Sequence, residues 1–302
     1  MRKLIYFVVI AIFLANCAGK ESAKKRSDSS AVSDSVALIE MPEVPSNLTT
    51  PEERASFLVE HFWDKMDFRD TARSHDRASM EQNFVNYVSF MGYVPDSVVI
   101  GEGFSQLLKK ASVDEKAYSI LLETVDQYLD DPNSPMLSEE LYIIYLNSLL
   151  KFGKVSEDAR IKKEYRLQQA MKNRIGTQAT DFRFTKADGS KSSLYQSLPS
   201  SGNLLLIFFN PECDHCDEIL AKLVKDKELA GSVAAGEIKV LAIYPGVKES
   251  AWRDKIKTFP KAWEAGIDDG VIDDGELYYL PAMPTIYMLD SSGKIVGKDI
   301  RV

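Results

Sequence analysis

The stretch from Asn203 to Lys225, NLLLIFFNPECDHCDEILAKLVK, constrains the fold of this chain more than any other. It opens with a continuous apolar run, the mark of a strand buried on both faces. The run stops at Asn210 and Pro211, and the residues from Cys213 on repeat at helical spacing. Further along, IKVLAIYP is a second buried strand, ESAWRDKIKTF is helical, and PTIYMLD and KIVGKDI are strands joined by an SSG turn. Ahead of the run, DFRFTKADGSKSSLYQSL reads as two strands about an Asp188-Gly189 turn. Strand, helix, strand, helix and hairpin in this order describe an α/β domain over residues 175–302.

The residues before it follow a different period. TPEERASFLVEHFWDKMDF opens with Thr50 and Glu53 as a capping box and Pro51 at the first helical position. Phe57, Leu58, Phe62 and Met66 then recur at helical spacing. Further helices are expected around Met80 to Gly92, after Pro95, after Ser112 with Glu115 as its capping partner, after Ser138 up to Gly153, and after Ser156. The one after Pro95 is weakened by Gly101 and Gly103. No strand of comparable length precedes Asp181, so residues 49–174 read as an all-helical domain, and the chain as α+β overall. Within the helical part, YLDDPNSPMLSEELY carries Pro132, Asn133 and Pro135, which read as turn punctuation rather than a ligand loop.

The N-terminus has its own logic. Arg2 and Lys3 precede a short apolar run, Leu4 to Ala15. A helix crossing a bilayer needs about 20 apolar residues, so the run has the shape of a signal peptide. It ends in LANC, which resembles the bacterial lipoprotein box and implies cleavage after residue 16 and acylation of Cys17. Several acyl chains anchor stably where one is marginal. Residues 17–48 are rich in Ser, Lys, Asp and Ala, lack apolar periodicity, and read as a disordered tether. Such a tether spans on the order of 30 Å. Ala18, rather than Asp, after the lipid cysteine points to the outer membrane of a bacterial envelope, facing the periplasm. The net charge of −8 and the absence of a basic stripe argue against a nucleic-acid partner.

With Cys17 given to lipid, two of the three cysteines remain, Cys213 and Cys216. Three residues apart at the start of a helix, they share one face and lie one turn apart. The compartment is oxidising, and no odd thiol is left over. Cys213 stands where free N–H groups and the helix dipole favour an anion, so its thiolate is expected to form readily. Cys216, a turn further in, should be less exposed and less acidic. One sulfur then attacks and the other resolves. Protonated His215 would favour a thiolate, whereas Asp214, Asp217 and Glu218 oppose it, and a potential more oxidising than thioredoxin's is expected.

The pair has other conceivable uses. A closed zinc site needs four ligands, and neither a second CxxC nor zinc-finger histidine spacing is present; His61 and His75 read as helix-face or turn residues. Asp217 after the motif rules out haem attachment. An open copper site drawing on Cys213, Cys216, His215 or Met283 stays as an alternative, as in a metallochaperone lipoprotein. A staple across so short a loop would add little stability. A third alternative is an interaction protein that acts through its helical domain.

Three stretches together carry a family resemblance: IGTQATDFRF with ADGS, LLLIFFNPECDHC, and AMPTIYMLDSSGKIV. In this order they resemble the thioredoxin fold, specifically the membrane-anchored TlpA/ResA-like thiol–disulfide oxidoreductases. YLDDPNSPMLSEELY resembles a helical domain of unknown function that precedes thioredoxin-like domains in bacterial lipoproteins. The first resemblance implies Cys213 as nucleophile, Cys216 as resolving thiol, and a cis proline at Pro284 that packs beside the disulfide. A cis bond there would expose the Met283 backbone to strand-like pairing with a substrate peptide. Protein disulfides or dithiols are then the expected substrates, with a membrane redox partner and no cofactor or metal.

The sequence departs from the family in places. Ile207 stands where thioredoxins bury an aspartate, leaving Glu212 as the nearest candidate proton acceptor for Cys216. Glu212 also replaces the usual aromatic residue before the first cysteine, and Asn210 replaces the Thr or Ser that peroxidatic cysteines need. No closing helix is expected after the last strand. One sheet face is then less covered, or the helical domain packs there.

Overall fold

The computed structural model describes residues 36–268, 270–274 and 276–300. The signal segment, Cys17 and the tether up to residue 35 lie outside the described residues. The rest of the expected tether is not a free strand. Ala37 N–H donates to Ser79 Oγ at 2.8 Å, Ile39 N–H donates to Asn83 Oδ1 at 2.9 Å, and Asn83 Nδ2 returns a bond to Ala37 O at 3.1 Å. Ser79 and Asn83 are both buried, so these bonds hold the backbone where water cannot compete. The ordered chain therefore begins before the expected boundary at residue 49.

The helical part comprises α1 (Pro51–His61), α2 (Thr71–Ser74), α3 (Arg77–Met91), α4 (Ser97–Ala111), α5 (Glu115–Leu129), α6 (Glu139–Phe152) and α7 (Glu157–Ala170). The Thr50–Glu53 capping box and the Ser138 and Ser156 caps form as expected, and Gly153 ends α6 in the left-handed region at φ 77°. The cap of α5 differs from expectation. Asp114 accepts the Ala117 N–H, while Ser112 closes the preceding α4. A carboxylate directly before the helix satisfies the free N–H groups, so the more distant serine is not needed.

Gly103 does not break α4, because a Cβ there would lie 2.5 Å from Tyr87 Oη and 2.8 Å from Val59 Cγ1. The glycine is what lets α1, α3 and α4 approach. Their shared core holds Val59, Phe62, Trp63, Phe84, Tyr87, Phe104, Leu121 and Tyr145, all nearly inaccessible.

The second part contains β1 (Arg183–Lys186), β2 (Lys191–Ser193), β3 (Asn203–Phe208), α8 (Asp214–Lys225), α9 (Lys227–Ala234), β4 (Ile238–Tyr244), α10 (Glu249–Ile256), β5 (Glu264–Asp268), α11 (Val271–Asp274), β6 (Thr285–Asp290) and β7 (Ile295–Gly297). The strands form one sheet in the order β2-β1-β5-β4-β3-β6-β7. β3 sits between parallel β4 and antiparallel β6, with Leu206 opposite both Leu241 and Tyr287. Its side chains alternate between two cores. Leu204, Leu206 and Phe208 face Phe184, Ile272 and Tyr278; Leu205, Ile207 and Phe209 face Leu220, Leu223 and Trp252 of the helices α8 and α10. The α+β class and the all-helical and α/β parts are as the sequence predicts. Two details differ: β5 was not anticipated, and Asp226 divides the expected single helix into α8 and α9 by ending one and capping the other.

From Val36 on, the described residues form one compact unit. The two parts are joined by charged and polar bonds. Lys298, just after β7, pairs with Glu139 at the start of α6, and both side chains are under a tenth exposed. Lys298 Nζ also donates to Lys172 O at 3.1 Å. Asn173 Nδ2 donates to Leu277 O at 2.7 Å, and within the helical part Arg174 grips Glu140 through Nε and Nη2. Arg166 of α7 stacks over the Tyr279 ring with 4.4 Å between the guanidinium carbon and the ring centroid. Among the described residues no helix follows β7, and none is long and apolar enough to cross a membrane.

Candidate active site

The site is built by the transition from β3 to α8. β3 is apolar throughout and brings the chain out of the sheet centre at Phe209. Asn210 then organises the turn. Its Oδ1 accepts the Glu212 N–H at 3.0 Å, its carbonyl accepts the Cys213 N–H at 3.2 Å, and its own N–H donates to Cys216 Sγ at 3.5 Å. Sequence reasoning weighed Asn210 only as a missing peroxidase hydroxyl. An asparagine three residues before a helix cap is a common turn former, a signal the sequence carries.

Cys213 is the N-cap of α8, with extended backbone at φ −107° and ψ 119°. Its sulfur takes the place of a capping oxygen and accepts the Cys216 N–H at 3.5 Å. The thiol is half-buried and directs its proton at the Met283 carbonyl, 3.9 Å away. Both thiols are free. Cys216 is fully buried against Leu220, Ile207 and Ile286. Burial pushes its thiol up to about 12, and the neighbouring Cys213 and Asp217 add to this, against the opposing pull of the Asn210 N–H. The sequence reading of an inner sulfur less exposed than the leading one matches this burial.

Met283 and Pro284 lie across from the cysteines, and the bond between them is cis. Ile207 is fully buried in the sheet, opposite Ala242 and Ile286, so no carboxylate underlies Cys216 from that position. Glu212 does not replace it. Its carboxylate is on the surface, paired with Lys248 at 2.6 Å, and the candidate role as acceptor for Cys216 has no supporting contact. The physical reason is direction: Glu212 precedes the cap and projects outward, whereas Cys216 projects into the core. Asp217 is likewise paired, with Lys255. His215 is exposed at the lip of the site. His61 bonds Asp64 at 2.8 Å and His75 bonds Asp114 at 2.7 Å, both within the helical part. Among the described residues, no group of three His, Cys, Asp or Glu side chains is placed to hold a metal ion.

A cleft of about 360 Å³ opens beside the cysteines. One side is His215 and Ile219 of α8, the Pro281–Pro284 loop, Ile286 and Ile300. The other side is Pro132, Asn133 and Leu137 of the α5–α6 turn, with Asp130, Glu139, Arg166 and Lys298 at its end. In sequence that turn reads as punctuation, and only the packing of the two parts puts it beside the site.

Residues 16–173 match the family described as Domain of unknown function (DUF5106). A thioredoxin-like protein from Bacteroides caccae is similar to this chain at 35% identity and a TM-score of 0.79, over 87% of this chain and 94% of that one. That likeness runs through both the helical and the α/β parts. The C-terminal domain of an uncharacterized protein from Bacteroides fragilis is 37% identical over 43% of this chain and 92% of that one, with a TM-score of 0.41. A thiol-disulfide oxidoreductase from Bacteroides fragilis is 26% identical over 42% and 92%, with a TM-score of 0.36. No curated protein sequence matches the chain.

Proposed function

This chain belongs to the DUF5106 family and joins that helical domain to a thioredoxin-like one, and from that premise we propose that it is a thiol–disulfide oxidoreductase of protein substrates. The observation that carries the reading is the asymmetry of the two sulfurs: one caps a helix within reach of solvent, the other lies directly behind it in the core.

In the reducing direction the Cys213 thiolate attacks one sulfur of a substrate disulfide. A Cys213–substrate disulfide forms, and the first substrate thiolate leaves and takes a proton. Cys216 then loses its proton and attacks the Cys213 sulfur, and the second substrate thiolate departs. Two electrons pass from the pair to the substrate, whose two sulfurs end as thiols, and an internal Cys213–Cys216 disulfide remains. The burial that holds the Cys216 proton prevents its premature oxidation. Two causes of its raised pKa, the hydrogen bond with Cys213 and the charge on that sulfur, vanish once Cys213 is bonded to substrate. A dithiol donor, for which a membrane redox partner is proposed, restores the reduced pair, and the reverse cycle oxidises a substrate.

The Met283 carbonyl, 3.9 Å from the Cys213 sulfur, is the proposed point of strand-like pairing with the substrate backbone. Attachment through acylated Cys17 would hold the domain at a bacterial envelope membrane, with the outer membrane favoured by Ala18. The test is insulin reduction with a dithiol donor. The full chain should turn over and Cys213→Ser should not; equal rates would reject the role of Cys213.

A further inference from the structure

We propose that the helical domain is the substrate-selecting wall of the redox site, and that the cleft it closes accepts an extended polypeptide segment with an apolar side chain and a basic residue beside its disulfide. The inference rests on the proposed disulfide exchange at Cys213 and adds the class of substrate and the residues that choose it.

The wall is prebuilt within the helical part. Asp131 Oδ1 accepts the Asn133 N–H at 2.8 Å and its side-chain amide at 3.1 Å. Ser134 Oγ donates to Tyr128 O at 2.6 Å and accepts the Met136 N–H at 3.1 Å. The Ser138 N–H closes the turn onto Leu129 O at 3.2 Å. A turn held by its own bonds can act as a rigid jaw. Its place opposite α8 is fixed by Arg166, which donates to Asp130 at 2.7 Å while stacked on Tyr279.

The occupant follows from what the cleft offers. It is continuous with the Met283 carbonyl, a backbone acceptor that suits an extended chain. Around that acceptor Ile219, Pro281, Ala282, Ile286, Ile300 and Leu137 present apolar surface. Inside the cleft Arg166 pairs with Asp130 and Glu139 and Lys298 with Glu139, Arg166 Nη1 has no protein partner among the described residues, and Asp299 adds a further carboxylate to the lining. More carboxylates stand at the rim, next in sequence to lining residues. Asp131 continues the helical wall; Asp214 and Glu218 flank His215 and Ile219 on α8. Among the described residues none of these three carboxylates is paired with Lys or Arg, in contrast to Glu212 and Asp217 nearby. A segment bringing Lys or Arg to this rim is electrostatically matched, and one bringing Glu is repelled. A second copy of this chain, with its net charge of −8, is a poor match.

The experiment uses the full chain and disulfide-linked peptides that differ beside the cysteine: Leu with Lys, Ser with Lys, and Leu with Glu. Hydroxyethyl disulfide serves as the featureless reference. Relative to that reference, kcat/KM for Leu should exceed that for Ser by about tenfold, the scale of one apolar side chain in a pocket. Lys should exceed Glu at low salt, and the gap should close near 1 M salt, where the screening length is about 3 Å. Asn133→Trp, which fills the cleft from an exposed turn, should abolish the Leu-over-Ser preference, and Leu137→Ala should move it toward a larger side chain. Asp131→Asn should shrink the Lys-over-Glu preference. Preferences unchanged in all three variants would overturn the selecting wall while leaving disulfide exchange standing. A wild type that exchanges the reference disulfide but does not distinguish the peptides would do the same. No exchange with any disulfide, the reference included, would overturn both.

Discussion

Replacing Cys213 with serine isolates the chemistry of Cys216. The remaining thiol is fully buried, and in the wild type it is held at about 12 against an ordinary value of 9.0. At pH 7 that leaves a thiolate fraction of about 10⁻⁵, where an ordinary thiol has about 10⁻². Alkylation proceeds through the thiolate, so the folded variant should react with iodoacetamide about a thousandfold more slowly than the same chain in urea. Part of the shift comes from Cys213 itself, so about a thousandfold is the upper bound for the serine variant.

The pH profile is the sharper assay. The unfolded chain's rate should level off just above pH 9, while the folded variant's should keep climbing about tenfold per unit beyond that point. Stability carries the same signature. A thiol whose folded value is raised contributes stability that is fully present below about 9.0 and lost as pH rises toward about 12. Compared with Cys213→Ser/Cys216→Ala, Cys213→Ser should therefore lose up to about 1.4 kcal/mol per pH unit in that window. A folded Cys216 that alkylates at the unfolded rate, or levels off near pH 9, would refute burial as the cause.

Two further outcomes are expected. Lys298→Met leaves the buried Glu139 carboxylate facing Arg166 at 3.4 Å without its lysine; it should lower stability by about 3–5 kcal/mol in urea unfolding, with most of this restored in Glu139→Gln/Lys298→Met. Gly103→Ala forces a Cβ against Tyr87 and Val59 and should cost about 1–3 kcal/mol, seen as a lower Tm with the helical content retained.

Much of this architecture was legible because it is local. Leu204 to Phe209 are apolar without a break since both faces of β3 are covered, and the helix caps at Thr50, Ser138 and Ser156 need only residues a few positions away. The places of the two cysteines were legible from their spacing, one on the cap and one a turn inside. What escaped depends on distant partners. EAGID lacks a strand's apolar pattern because Glu264 faces Lys186 and Lys239, at 2.8 and 2.7 Å, rather than the core. Residues 37 and 39 are ordered by Ser79 and Asn83, more than forty positions on. Pro132 and Asn133 look like simple turn residues in sequence, and only the packing of the two parts places them across from His215 and Met283.

Cys213 and Cys216 are proposed to exchange two electrons as one pair. Equilibration of the full chain across glutathione buffers, followed by acid quench, thiol labelling and intact mass, tests it directly. A single two-electron transition is expected, in which both thiols disappear together and the oxidised form is monomeric with an internal bridge. Independent titration of the two thiols, or oxidation only to mixed or intermolecular disulfides at Cys213, would contradict it.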